Sequence, residues 1–238
     1  IYNLTINNKS KNVANDVGFF ASLGEKAQIN NITFVVGSNY KDPGDGSDPT
    51  ETDTNWDNGT TRGIKIFNSN STAHNLGVLS GKANGSTITN FTLKIADSAE
   101  DVIYTNLDVV GGVIGDATDV KIISSAGAEN GNGVCLDNIK MKRDSNKKVS
   151  QNDGKDIYFG GVIGKANGCE IKNVNFNNQV KISNLQNIPN NNTYIGAVCG
   201  YSELCDISNV LVANEDKTQI TLSHTTDYKS FGELESKI

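Results

Sequence analysis

The sequence predicts an all-β chain wound as a right-handed parallel β-helix, a β-solenoid, with long loop insertions. Three observations lead to that expectation. A short frame recurs along the whole chain, which is how a solenoid shows itself in sequence. Inside the frame, apolar positions change parity at a fixed Asn, as a strand–bend–strand unit requires. The composition is rich in Asn, Gly, Ser and Thr, with 3 Pro and 36% apolar residues, too few for a broad globular core but enough for a narrow stack of side chains.

The clearest copy of the frame is Phe159-Gly160-Gly161-Val162-Ile163-Gly164, followed after six residues by Ile171-Lys172-Asn173-Val174-Asn175-Phe176. Leu76-Gly77-Val78-Leu79-Ser80-Gly81 leads at the same interval to Ile88-Thr89-Asn90-Phe91. Ile195-Gly196-Ala197-Val198-Cys199-Gly200 leads to Ile207-Ser208-Asn209-Val210, and Val17-Gly18-Phe19-Phe20-Ala21-Ser22 to Ile29-Asn30-Asn31-Ile32. Val110-Gly111-Gly112-Val113-Ile114-Gly115 fits if an insertion over about 118–131 separates it from Leu136-Asp137-Asn138-Ile139-Lys140-Met141.

Ile171 and Asn173 share parity, whereas Val174 and Phe176 have the other, so a bend at Asn173 has to reset the phase. Asn tolerates left-handed dihedrals and can bond neighbouring backbone groups. Asn3, Asn31, Asn90, Asn138, Asn173 and Asn209 are therefore expected to stack as an inward, buried amide ladder along the axis.

These residues resemble the GLUG motif, a short repeat of large secreted and cell-surface bacterial proteins. It occurs in adhesin-like proteins and in the non-catalytic N-terminal region of immunoglobulin A metallopeptidases. Gly160-Gly161-Val162-Ile163-Gly164 with Ile171-Lys172-Asn173-Val174 is the best match. Phe19, Val78 and Ala197 depart from it at the second Gly, and Ser22 at the third. The resemblance implies an architecture and a surface or secreted setting; it brings no catalytic residue.

Taken in order, residues 1–6 read as the second half of a repeat and 231–236 as the first half of another. The chain is thus expected to be one solenoid segment over 1–238, a fragment of a longer protein extending at both ends, with five full repeats starting near 17, 76, 110, 159 and 195. Strands are expected near 17–22 and 28–36. The stretch 37–63, rich in Asp, Gly, Pro and Thr, is read as an insertion ending in the alternating strand 63–67. Lys94-Ile95 and Val102-Ile103-Tyr104 extend the second repeat. Gln179-Val180-Lys181-Ile182-Ser183 recurs as Gln219-Ile220-Thr221-Leu222-Ser223, which argues for a third strand per repeat. With strands about 4.8 Å apart, five repeats make a rod only about 25 Å long.

The net charge of −6 and pI near 5.0 disfavour nucleic acid or an anionic membrane as partner. No apolar run approaches the roughly 20 residues that span a bilayer, so no direct membrane insertion is expected. His74 and His224 are the only histidines, and neither stands in a catalytic or zinc-binding context. No catalytic site, and no bound cofactor beyond a possible calcium, is expected.

That calcium would sit on Asp53, Asn55 and Asp57, oxygen ligands at alternate positions with Asp42, Asp45, Asp48 and Glu51 close by. A plain acidic, solvated loop is the competing reading, since position twelve of the loop is Ile64. Trp56, the sole Trp, either offers an exposed platform or packs back on the strands. Trp56, Arg62 and Arg143 are the ligand-contact candidates. Cys169 and Cys205 occupy equivalent places in adjacent repeats, with Cys135 one step off, close enough to bridge but oriented unfavourably for a disulfide. Free, buried thiols are expected.

The functional expectation is a non-catalytic, adhesin-type segment, extracellular or on the cell surface, binding a host protein or glycan. Its variable chemistry is expected in the insertions 37–61, 118–131 and 142–157. The alternatives are an accessory, substrate-positioning region of a large extracellular peptidase and a carbohydrate-active β-helix enzyme.

Overall fold

The computed structural model describes residues 1–4, 6–8, 15–36, 64–66, 75–95, 103–124, 134–143, 156–184, 192–212 and 219–224. Among these the chain is all-β and builds three sheets in which every pairing is parallel. No helix is long and apolar enough to cross a membrane among the described residues.

The first sheet has five strands, Asp16–Val17, Asn75–Gly77, Val109–Gly111, Ile157–Gly160 and Thr193–Gly196, lying side by side in chain order. Its register places Val17, Leu76, Val110, Phe159 and Ile195 in one row. The second sheet follows the same order with Phe20–Leu23, Ser80–Asn84, Ile114–Thr118, Ile163–Asn167 and Cys199–Glu203. The third sheet has eleven strands and holds the rest of each repeat. Its longest strand, Glu170–Asn184, pairs along its length with Asp206–Val212, Gln219–His224, Val134–Arg143 and Lys121–Ile123.

Inward side chains form rows of like residues. Ile88, Ile122 and Ile171 are fully buried in one row; Leu93, Leu136 and Phe176 form another; Ile103, Met141 and Ile182 a third. Burying a Phe159 or an Ile171 in this way contributes roughly 1.5–3 kcal/mol each. Because parallel strands carry no short hairpins, each such row joins residues distant in sequence, and these rows are the core.

The phase reset at Asn is present. Asn31, Asn90, Asn173 and Asn209 have φ of 55°, 53°, 58° and 52°, and Ile171, Val174 and Phe176 are all buried on either side of the bend. The ladder itself differs from expectation in two of its members and in depth. Asn90 Nδ2 donates to Asn31 Oδ1 at 2.9 Å, Ser124 Oγ to Asn90 Oδ1 at 3.4 Å, Asn173 Nδ2 to the Ser124 carbonyl at 3.2 Å, and Asn209 Nδ2 to Asn173 Oδ1 at 2.5 Å. Ser124 therefore stands where Asn138 was expected. Asn90 and Asn173 are half-buried while Asn31 and Asn209 are exposed, so the ladder runs along a corner and not through the core.

The physical reason lies in the third repeat. Ile122 pairs with Ile88 and Ile171, so Lys121–Ile123, inside the insertion expected over 118–131, is the strand that leads to the Asn corner. Leu136 pairs with Leu93 and Phe176, one strand further along. Asn138, with φ 59° and 4% exposed, and Asn178, with φ 61°, turn a second corner of the repeat. Asn138 Nδ2 caps the Ile95 carbonyl at 3.1 Å. Both corners take an αL Asn, and at Asn138 the flanking Leu136 and Ile139 reproduce the Ile/Leu-x-Asn-apolar pattern of the first corner.

The N-terminal strand is corrected similarly. Tyr2 pairs with Val35, Leu4 with Val36, and Ile6 with Ile64, so Asn3 lies beyond the Asn31 corner and outside the ladder. The Gln179 and Gln219 segments pair residue for residue from Gln179↔Gln219 to Ser183↔Ser223, as the recurrence predicts.

Candidate functional site

The first two sheets meet at a corner too tight for any side chain. A Cβ on Gly115 would lie 2.8 Å from the Leu76 nitrogen, one on Gly164 2.8 Å from the Val110 nitrogen, and one on Gly200 2.6 Å from the Phe159 nitrogen. Backbone touches backbone there, which only glycine permits. The contact also runs from one repeat to the one before it. Outward residues after each glycine, namely Asp116, Lys165 and Tyr201, are therefore brought beside outward residues of the first sheet.

Two outward rows result. One runs Asp16, Asn75, Val109, Tyr158, Tyr194; the other runs Ser22, Lys82, Asp116, Lys165, Tyr201. At one end they converge on three tyrosines. Tyr158 and Tyr194 stack with centroids 5.1 Å apart and 11° between planes. Tyr201 stands at 61° to Tyr158 and 72° to Tyr194, at 5.7 and 5.8 Å. Lys165 Nζ sits 5.5 Å from the centroid of the Tyr158 ring, a cation–π contact. All three rings are half-buried.

Asp156 anchors the rim. The Asn192 backbone N–H and Nδ2 donate to its Oδ1 at 3.2 and 3.1 Å, and Tyr158 Oη donates to its Oδ2 at 3.2 Å. Burial, reinforced by the Asp156 carboxylate, pushes the Tyr158 phenol up to about 12, so it is a hydrogen-bond donor at neutral pH. Further along, Asn75 Nδ2 donates to Asp16 Oδ1 at 2.7 Å. Burial raises the Asp116 carboxyl above its usual range against the opposing pull of Lys82 and Lys165, with Asp16 adding to the rise.

The third sheet carries a different outer row. Lys121 reaches Glu170 at 3.1 Å, and Lys172 bridges Glu170 at 2.9 Å and Asp206 at 2.8 Å. These are solvent-exposed pairs of small energetic weight.

Of the residues singled out in the sequence, Asp53, Asn55, Trp56, Asp57 and Arg62 lie outside the described residues, as do 37–61 and the calcium reading that rests on them. Arg143 ends the strand Val134–Arg143, its backbone paired with Thr105 and Asn184; its side chain is not among those described. Within 118–131, expected as a loop, Thr118 and Lys121–Ile123 are strand residues, and 125–131 lie outside the described residues. Lys142, Arg143 and Ile157 likewise belong to strands at the limits of 142–157.

All four cysteines are free. Cys169 and Cys205 do stack, the Cys169 N–H donating to Cys205 Sγ at 3.4 Å. Cys135 does not belong with them: it pairs with Asn175 and receives Asn177 Nδ2 at 3.1 Å. Burial pushes the Cys169 thiol up to about 11 and raises Cys135 and Cys199, so these thiols stay protonated at neutral pH. Among the described residues, no group of three His, Cys, Asp or Glu side chains is placed to hold a metal ion.

The tyrosine corner was missed in the sequence although its signal was there. Tyr158 and Tyr194 sit at the same place in successive copies of the frame, two before Gly160 and Gly196, and Tyr201 follows Gly200 as Lys165 follows Gly164. Compared with family models, with curated proteins and with solved structures, the chain matches none.

Proposed function

We propose that the chain is a right-handed parallel β-helix of the GLUG-repeat kind, a non-catalytic segment of a secreted or surface-attached protein that displays binding groups to a host protein or glycan. Right-handedness follows from the near-universal hand of parallel crossovers. The observation that carries the functional reading is the contrast between the two sides of the same strands. Inward rows stay apolar, as Leu76, Val110, Phe159 and Ile195 do, while the outward row beside them passes from Asp16 and Asn75 through Val109 to the paired Tyr158 and Tyr194. The inward side is tied to stacking; the outward side and the insertions are free to vary for recognition.

The test is direct binding of the labelled chain to bacterial-host cell surfaces and to immobilised glycoproteins, beside variants with the insertions at 37–61 or 144–155 shortened. Saturable binding with no turnover of protein or polysaccharide supports the reading. Measurable hydrolysis or elimination of a polysaccharide, or no binding to any of these surfaces, counts against it.

A further inference from the structure

We infer that the corner formed by Tyr158, Tyr194, Tyr201, Lys165 and Asp116 is a binding subsite for a pyranose residue of a neutral glycan. The inference rests on the recognition reading above and narrows it to one surface and one ligand class.

Shape comes first. Tyr158 is covered by Tyr194 and by the Lys165 ammonium, so it supports the platform more than it offers a face. Tyr194 and Tyr201 stand edge to face, 72° apart with centroids at 5.8 Å, and the angle between these half-buried rings is the notch that a sugar would enter. A pyranose presents an apolar C–H face and a rim of hydroxyls. The face packs on an aromatic ring while the rim needs polar partners, the mixture that a tyrosine-lined site supplies. Polar partners are in place beside the notch: the tyrosine hydroxyls, the Lys165 ammonium and, one strand on, the Asp116 carboxylate paired across from it in register.

Charge then chooses among ligands. The two rows and their rim carry the carboxylates of Asp16, Asp116 and Asp156 against the ammoniums of Lys82 and Lys165, on a chain of net charge −6. That balance gives an acidic polysaccharide or a nucleic acid no cationic excess to bind. The strands beneath, Ile157–Gly160 and Ile163–Asn167, are each paired on both sides. Under Tyr158 and Lys165 there is thus no open edge. Thr193–Gly196 and Cys199–Glu203, which carry Tyr194 and Tyr201, pair on one side only among the described residues. The choice of a glycan over an added peptide strand therefore rests on the ring surfaces and the charge balance.

The experiment is calorimetric titration of the chain with cellohexaose, chitohexaose and mannohexaose, with polygalacturonate as the acidic comparison. Binding to at least one neutral hexasaccharide is expected, weakened about tenfold or more in Tyr194→Ala and in Tyr201→Ala and retained in Tyr201→Phe, with the β-type circular-dichroism spectrum unchanged in all three. Retention by the Phe variant identifies the ring as the contact and separates a binding role from a folding one. Binding to none of the neutral hexasaccharides, tighter binding to polygalacturonate, or undiminished binding by both Ala variants overturns the inference. If the chain still binds cells or glycoproteins in that event, the broader recognition reading stands; if it binds nothing, both fall together.

Discussion

Tyr194 lies one repeat beyond Tyr158 with its ring 11° from parallel and 5.1 Å away, although 36 residues of chain separate them. The parallel register that pairs Phe159 with Ile195 also pairs Tyr158 with Tyr194 and so brings these two rings side by side. Each outward side chain in this protein is therefore defined by its neighbours in the repeats before and after it, and the following expectations use that.

The Tyr158 phenol, raised to about 12, is above its ordinary value of 10.0 because it is partly buried next to Asp156. The folded state thus holds this proton more tightly than the unfolded state does, and stability falls as pH rises from about 10 toward 12. Ultraviolet titration of the native chain should show one tyrosine ionising later than the rest. Tyr158→Phe should remove that late step and flatten the loss of stability over the same range.

Asn173 serves the backbone, at φ 58°, and the ladder, through Ser124 and Asn209. Asn173→Leu should cost about 1–3 kcal/mol, combining left-handed strain with two lost hydrogen bonds at a half-buried site. Asn173→Gly keeps the permitted φ and should cost clearly less. Urea denaturation of the two variants measures the difference, and equal losses would mean that the amide, not the dihedral, dominates.

Gly200→Ala puts a methyl 2.6 Å from the Phe159 nitrogen and 2.7 Å from the Gly164 carbonyl oxygen, and backbone cannot step aside as a side chain can. A loss of about 1–3 kcal/mol or more is expected. Gly24→Ala meets nothing within 4 Å and should stay within about 0.5 kcal/mol of the parent in the same thermal melts.

Asp116 is raised chiefly by burial, so its protonated form is favoured by folding and the ionised form opposes it. Stability attributable to it declines as pH rises above 3.8, the value in the unfolded chain. Asp116→Asn should therefore raise the melting temperature slightly at pH 7 and leave it unchanged or lower at pH 3. The partial exposure of the group keeps the effect small.

How much of this was legible beforehand follows from what each residue needs. The parity change at Asn173 and the glycines before Val162 and Ile163 are local demands of the chain, so fold class and inward rows could be read from them. The assignment of the third repeat could not. Ile122-Ile123-Ser124 carries Ser where the other repeats carry Asn, and Ser124 is not among the residues with positive φ, so the motif is missing from that corner. Leu136-Asp137-Asn138-Ile139 copies the motif at a different corner, where Asn138 takes the same left-handed conformation between apolar residues.

The sequence by itself determined that strands alternate, that Asn31, Asn90, Asn138, Asn173 and Asn209 take left-handed bends and that repeats stack, because these depend on side-chain periodicity and on residues with special dihedral freedom. Only the tertiary structure decided which bend stacks on which, and that the outward residues of two separate sheets meet. Tyr158 and Tyr201 belong to different sheets and different repeats. They come together because Gly200 lets backbone approach backbone beside Phe159, a through-space distance that no one-dimensional pattern contains.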